Sequence, residues 1–262
     1  MDDKKTSLIY KIIRWFVRLF FPKIEVVGLE NLPKEPCVVV GNHSQMNGPI
    51  AGELYFPGKR SIWCAGEMMN RSEVAAYAFR DFWSFKPRWT HWFFRLISHL
   101  IVPLSVCVFN NAHTIPVYHD TRIITTFRDS IEELNKGSSM IIFPEHNQRY
   151  NNIVYDFQDR FIDLARFYYK KTGVVLEFVP MYLAPKLKKM VIGKPIRFQP
   201  NEPIARERER ICSYLMEEIT AIACSLPEHT VIPYRNIRKR DYPKNIPLEV
   251  YAQDHEDEEA NG

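Results

Sequence analysis

Glycine is scarce in this chain of 262 residues: there are ten, against eighteen prolines. That ratio implies many defined element ends and argues against a flexible, low-complexity chain. The five cysteines, at positions 37, 64, 107, 212 and 224, include no close pair and no Cys-x-x-Cys. An odd, scattered set argues against a disulfide framework or structural zinc and points to free thiols in a reducing compartment. Charge of one sign is nearly absent in excess. The net value is +4, so bulk electrostatics gives no support to a nucleic-acid partner. No Gly-x-Ser-x-Gly occurs, which argues against a hydrolase built on a nucleophile elbow. There is no internal repeat, and the histidines show no metal-ligand spacing, so no metal and no resident cofactor is expected.

Apolar material is plentiful. At 46% apolar and 13% aromatic, the chain can build a full core for one large α/β domain or two small ones. The stretch that organises the rest begins Pro36-Cys37-Val38-Val39-Val40-Gly41 and continues Asn42-His43-Ser44-Gln45-Met46-Asn47-Gly48-Pro49. Its β-branched run reads as a buried strand, ended by Gly41. His43 then sits in a loop just past a strand end, where α/β proteins keep their chemistry. Pro49 predicts a helix starting there. A histidine so placed is suited to take a proton near neutral pH.

Downstream, Thr114–Tyr118 reads as a short strand, Thr121–Asn135 as a helix with Ile124, Phe127, Ile131 and Leu134 at helical spacing, and Met140–Phe143 as a second buried strand. Strand, helix and strand with short links imply a parallel crossover. It would bring the ends of 37–40 and 140–143 to one edge of the sheet. Phe143-Pro144-Glu145-His146-Asn147-Gln148-Arg149 follows the second strand. Asp156–Tyr168 reads as an amphipathic helix with Phe157, Phe161, Leu164 and Tyr168 inward. Val174–Leu183 is a strongly apolar run, Met190–Arg197 another strand with a Gly-x-Pro-Ile, and Arg206–Ser225 a last helix.

These blocks resemble, in order, those of the glycerolipid (lysophosphatidic-acid-type, PlsC-like) acyltransferase superfamily. Asn42-His43 resembles block I, Asn-His followed after four residues by Asp. Here the Asp position is Gly48. Thr114–Arg122 resembles block II, in which an Arg follows a short apolar strand; here His119 or Arg122 occupies that neighbourhood. Phe143-Pro144-Glu145 resembles block III, Phe-Pro-Glu-Gly-Thr-Arg, with His146 in place of the Gly. Val174–Leu183 with Pro180 resembles block IV. The likeness spans roughly residues 24–225.

The resemblance implies a mixed, partly parallel sheet flanked by helices. It implies transfer of an acyl chain from an acyl thioester, on coenzyme A or acyl carrier protein, to a hydroxyl of a glycerol-phosphate or lysophospholipid-type acceptor. His43 would be the general base and Glu145 its carboxylate partner in place of the missing Asp, with Asp120 the other candidate. Asn42, Asn47, His119, Arg122, His146 and Arg149 would contact substrate. Loss of a carboxylate beside a catalytic histidine costs about 10⁴ in rate in the serine-protease triad. A second reading therefore stays open: a catalytically impaired lipid-binding or scaffold protein of the same fold.

Residues 1–23 form an expected N-terminal helix. Lys11, Arg14 and Arg18 fall on one narrow stripe among bulky apolar residues. About 15 residues at 1.5 Å each reach roughly 22 Å, short of the ~30 Å hydrocarbon core. The expectation is a helix lying in a membrane interface, basic stripe toward the phosphates, on the cytoplasmic side; the alternative is an amphipathic helix docked on the domain's own core. The acyltransferase-like domain would run from 24 to 232, with an aromatic-rich helical insertion at about 63–112. Within it, residues 92–109 are mostly apolar but carry Arg95, His99 and Pro103, which suits an interfacial helix or the wall of an acyl groove better than a span. Residues 233–262 would be a tail.

Overall fold

The computed structural model describes residues 7–118, 120–146, 153–154, 156–234 and 237–246. His119 and Arg149 lie outside the described residues.

The chain opens with α1 (Leu8–Phe20). Its inward face is Tyr10, with Ile13, Arg14 and Val17 half-buried. Tyr10 donates its hydroxyl to Glu53 Oε1 at 3.1 Å, and Arg14 Nε pairs with the same oxygen at 3.3 Å. The expected basic stripe is thus divided. Lys11 and Arg18 stay exposed, while Arg14, on the flank of the docking face, turns in to join Arg60 beside the largely buried Glu53 carboxylate. The outward face is apolar, with Leu8, Ile12, Trp15, Phe16, Leu19 and Phe20 all exposed.

β1 (Glu25–Val27) leads to β2 (Val38–Gly41), the fully buried strand expected from Val38-Val39-Val40. α2 (Asn47–Tyr55) follows with Pro49 in its first turn, then β3 (Arg60–Ala65). Trp63–Ala65, expected to open the insertion, are the end of this strand, because they pair with Ile115–Val117. α3 (Val74–Ala78), α4 (His91–Leu100) and α5 (Val102–Asn111) make the insertion. The apolar run 92–109 is not one helix. It breaks at Ile101, with Pro103 in the first turn of α5, and the two arms meet at 44°. No single helix among the described residues is long and apolar enough to cross a membrane.

β4 (Thr114–Val117), α6 (Ile123–Asn135) and β5 (Ser139–Ile142) match the expected strand–helix–strand. The helix expected from Asp156 begins later. Phe157 instead makes an isolated antiparallel bridge with Glu145, and the Gln158 N–H donates to the Pro144 carbonyl at 2.8 Å. A 3₁₀ turn at Asp159–Ile162 then enters α7 (Asp163–Thr172). Phe157, Phe161, Leu164 and Tyr168 are buried as their spacing implied. β6 (Glu177–Ala184), β7 (Lys189–Ile192), β8 (Ile196–Arg197) and α8 (Ile204–Ser225) complete the body.

The sheet order is β1-β7-β6-β2-β5-β3-β4, with β8 on β6. The five strands β6, β2, β5, β3 and β4 are mutually parallel, while β7 and β8 run antiparallel to β6. Alternation along β2 divides the core. Val38 and Val40 face the layer of α6, α7 and α8, and Val39 faces that of α2, as period-two side chains on a two-sided sheet require.

The packed body does not end at 232. The Val231 N–H donates to the Pro243 carbonyl at 2.9 Å, and the Asn245 N–H to the His229 carbonyl at 3.1 Å. The buried Asn245 amide also donates to the Ala223 carbonyl at the end of α8. Residues 237–246 therefore return to the domain and do not trail from it.

Candidate active site

β2 and β5 are neighbouring parallel strands, with Val40 opposite Ile142. His43 and Glu145 each stand three residues beyond that pair, so equal offsets bring both to the same rim. This is closer than the sequence required, since it demanded a common edge and not adjacency.

Asn42 anchors the loop. Its side-chain Oδ1 accepts the Leu183 N–H at 2.7 Å and its Nδ2 donates to the Leu183 carbonyl at 3.0 Å. The residue is buried, and its amide makes one bond in each direction to the main chain of β6. Expected as a substrate contact, it instead fixes the end of β2. Asn47 is likewise turned inward on its own loop, its Nδ2 donating to the Ser44 carbonyl at 2.8 Å.

The His43 N–H donates to Glu145 Oε2. The hydrogen bond of Glu145 to this histidine therefore goes to its main chain. The ring is held differently: Nδ1 faces the main-chain carbonyl of Gln45. A carbonyl can only accept, so Nδ1 carries the hydrogen and Nε2 is left with its lone pair. The imidazole lies between two aromatic rings, Phe143 at 5.3 Å and Tyr234 at 4.5 Å between centroids. Burial pulls the His43 imidazole down to about 4, against which the Gln45 carbonyl works only partly. Burial pushes the Glu145 carboxyl up to about 8, with the His43 N–H opposing. At neutral pH the histidine is neutral and Glu145 is mostly protonated.

Both residues line a cavity of about 820 Å³. One wall is apolar, built from Trp63, Ile123, Phe127, Ile142, Phe143 and Phe161. The rim is polar, with His146, Asp120, Gln158, Asp159 and Arg160. His146, the residue in place of the block III Gly, is among these lining residues. Arg122 does not line the cavity. Its guanidinium lies 3.9 Å from the Tyr118 ring centroid, donates through Nε to Asp120 Oδ1 at 3.0 Å and through Nη2 to Asp120 Oδ2 at 2.8 Å, and reaches Glu73 at 3.4 Å. Asp120, the second carboxylate considered for His43, is engaged by that arginine. No group of three or more His, Cys, Asp or Glu among the described residues could hold a metal ion.

Sequence reasoning missed Gln45, Tyr234, Gln158, Asp159 and Arg160. Gln45 acts here through its main chain, which no motif records. Tyr234 sits in a segment read as tail. The last three were assigned to the polar face of a helix.

No family model matches this sequence, and no curated protein matches it significantly. Among solved structures, the chain is similar to the crystal structure of the 1-acyl-sn-glycerophosphate acyltransferase PlsC from Thermotoga maritima. The two superpose with a TM-score of 0.51 at 17% identity, over 87% of this chain and 86% of that one. At that identity the likeness is one of fold, and the chain has the mixed, mostly parallel α/β fold of PlsC.

Proposed function

We propose that this chain is a glycerolipid acyltransferase acting at a membrane surface, with His43 as general base. The observation that carries this reading is the His43 ring. Its Nδ1 is fixed on a carbonyl, which leaves the Nε2 lone pair for a proton, and the residue lines a large half-apolar cavity in a PlsC-like fold. Nε2 takes the proton of an acceptor hydroxyl as that oxygen attacks the thioester carbonyl. The new C–O bond forms, the C–S bond breaks, and the imidazolium returns its proton to the leaving thiolate. The apolar wall suits an acyl chain, and acyl-CoA or acyl carrier protein would bring it. His146 and Arg160 on the rim suit the headgroup of a glycerol-phosphate or lysophospholipid acceptor.

Membrane association is supported by two outward faces. One is the exposed apolar side of α1. The other, around α4, carries Trp89, Trp92, Phe93, Leu96 and Leu100, all exposed at helical spacing. Trp-rich apolar faces flanked by Lys and Arg favour the bilayer boundary. The reading is a peripheral or monotopic enzyme on the cytoplasmic side.

The test is ester formation by purified protein from acyl-CoA or acyl carrier protein with lysophosphatidic acid and lysophospholipids. His43→Ala should abolish it. Undiminished transfer in that variant would remove His43 from the mechanism. One observation favours a second reading, a catalytically silent lipid-binding protein: the imidazole faces a neutral carbonyl and not a carboxylate. Lipid binding without transfer on any donor would establish it.

A further inference from the structure

The loop after β2 is bent in an unusual way. Ser44 and Gln45 have φ values of 48° and 56°, left-handed positions that non-glycine residues occupy at a cost of about 1–2 kcal/mol each. Two consecutive residues in that state need something to hold them. Asn47 closes the turn from within, through its N–H at 3.1 Å and its Nδ2 at 2.8 Å, both to the Ser44 carbonyl. From outside, among the described residues, Tyr242 reaches it: Gln45 Nε2 donates to the Tyr242 hydroxyl oxygen at 2.9 Å. Tyr242 belongs to the returning C-terminal segment, which is itself pinned by Asn245 and Val231.

The consequence of the bend is that the Gln45 carbonyl is aimed at His43 Nδ1. A side chain cannot do this work from position 48. A Cβ there would stand 2.5 Å from the His43 carbonyl and 3.0 Å from that of Asn42, both main-chain atoms that cannot give way.

We propose that Tyr242 is a positioning residue for His43: its hydroxyl clamps Gln45 in the left-handed turn whose main-chain carbonyl orients the imidazole, in place of a carboxylate. The C-terminal segment is then part of the catalytic machinery, and Tyr234, packed on the face of the same ring, contributes to it. The inference rests on the reading of His43 as general base for its kinetic consequence only. The orientation of the ring is independent of any activity. During transfer the proton arrives at Nε2 while Nδ1–H stays donated to Gln45. A carbonyl dipole fixes the tautomer as a carboxylate would, but supplies no full charge to stabilise the imidazolium.

The experiment compares wild type, Tyr242→Phe, Gln45→Ala and the double variant in the full-length protein. Tyr242→Phe loses one hydroxyl and should leave the melting temperature nearly unchanged. Nitrogen-15 NMR of the His43 ring should find the Nδ1–H tautomer in wild type and a mixture of tautomers in either single variant. In an active enzyme, kcat should fall about tenfold with KM changed less than twofold, and the double variant should be no worse than either single one. Gln45→Glu, whose carboxylate can accept from the Tyr242 hydroxyl, should restore most of the wild-type tautomer. An unchanged tautomer in Tyr242→Phe would overturn the proposal, as would unchanged kcat or additive losses in the double variant. A wild-type protein without transferase activity would sink the functional reading alone, leaving the tautomer to decide this one.

Discussion

The main-chain carbonyl of His43 accepts the Gly48 N–H at 2.9 Å, closing the loop so tightly that position 48 has no room for a side chain. A Cβ there would lie 2.5 Å from that oxygen and 2.9 Å from the Phe143 ring. The path of this loop therefore leaves no room for an acidic side chain at position 48. Gly48→Asp should lower stability by roughly 1–3 kcal/mol and reduce any transfer activity. Chemical denaturation and the ester-forming assay check both. A faster and equally stable Gly48→Asp protein would mean that the loop opens readily and that the site simply lacks its acid.

The buried Glu145 carboxyl sets a second expectation. Its folded value, about 8, lies above its ordinary 4.5. A raised carboxyl favours the fold in its protonated form. That stability is complete below about pH 4.5 and is lost as pH rises through about 8. At about 1.4 kcal/mol per pKa unit, the loss reaches several kcal/mol. Glu145→Gln keeps an acceptor for the His43 N–H but does not titrate. Unfolding measured from pH 5 to 9 should give a wild type that weakens relative to the variant across the window. Parallel curves would show that Glu145 is ionised in the fold. His43 acts in the opposite sense, since its depressed value adds stability above 6.5 that is lost as pH falls through about 4. It is common to both proteins and cancels in the comparison.

The same His43 value predicts the acid limb of transfer. As the proposed general base, His43 would work with its ring neutral, so kcat/KM should hold as pH drops below 6.5 and fall only toward about 4. Initial rates from pH 4 to 8 test this. An acid limb near 6.5 would place the working imidazole in water, not in a buried pocket.

What was legible in the sequence followed from side-chain pattern. Three consecutive valines marked β2, and the runs at 140–143 and 121–135 marked its parallel neighbour and the crossover helix, close to their observed bounds. The strand-end positions of His43 and Glu145 came with them. What was not legible depended on the main chain or on distant partners. The bend that aims the Gln45 carbonyl leaves no signature, because every residue has a carbonyl. The delayed start of α7 reflects the bridge between Phe157 and Glu145, which competes with helical bonds that the apolar spacing alone would favour. Arg14 was read as membrane-facing because nothing local reveals that Glu53 lies beneath it.

Arg122 illustrates a motif residue whose setting changes its use. Three of its donors go to Asp120 and Glu73. The Asp120 contact is exposed and the Glu73 contact only half-buried, so Arg122→Ala should cost about 1 kcal/mol of stability or less. If this arginine leaves Asp120 to grip an acceptor phosphate, the same change should raise KM for a phosphorylated acceptor about tenfold, with kcat little altered. An unchanged KM would assign Arg122 to structure and leave Arg160 as the described cavity-lining arginine for that role.

The outward face of α1 makes the last prediction. Trp15 and Phe16 are 59% and 50% exposed and adjoin the exposed Lys11 and Arg18 on the helix surface. The helix is held to the domain by the opposite side, through Tyr10, Arg14 and Glu53. Replacing both aromatics with Glu should therefore leave folding intact and remove apolar area from a membrane contact. Binding to liposomes containing anionic lipid should drop at least tenfold, and wild-type binding should weaken as salt screens the cations. Sedimentation with vesicles measures both effects, and circular dichroism checks the fold. Deleting residues 1–22 should release the protein to solution. Vesicle binding that survives both changes would move the anchor to the exposed face of α4, where Trp92→Glu with Leu96→Glu would then be the decisive pair.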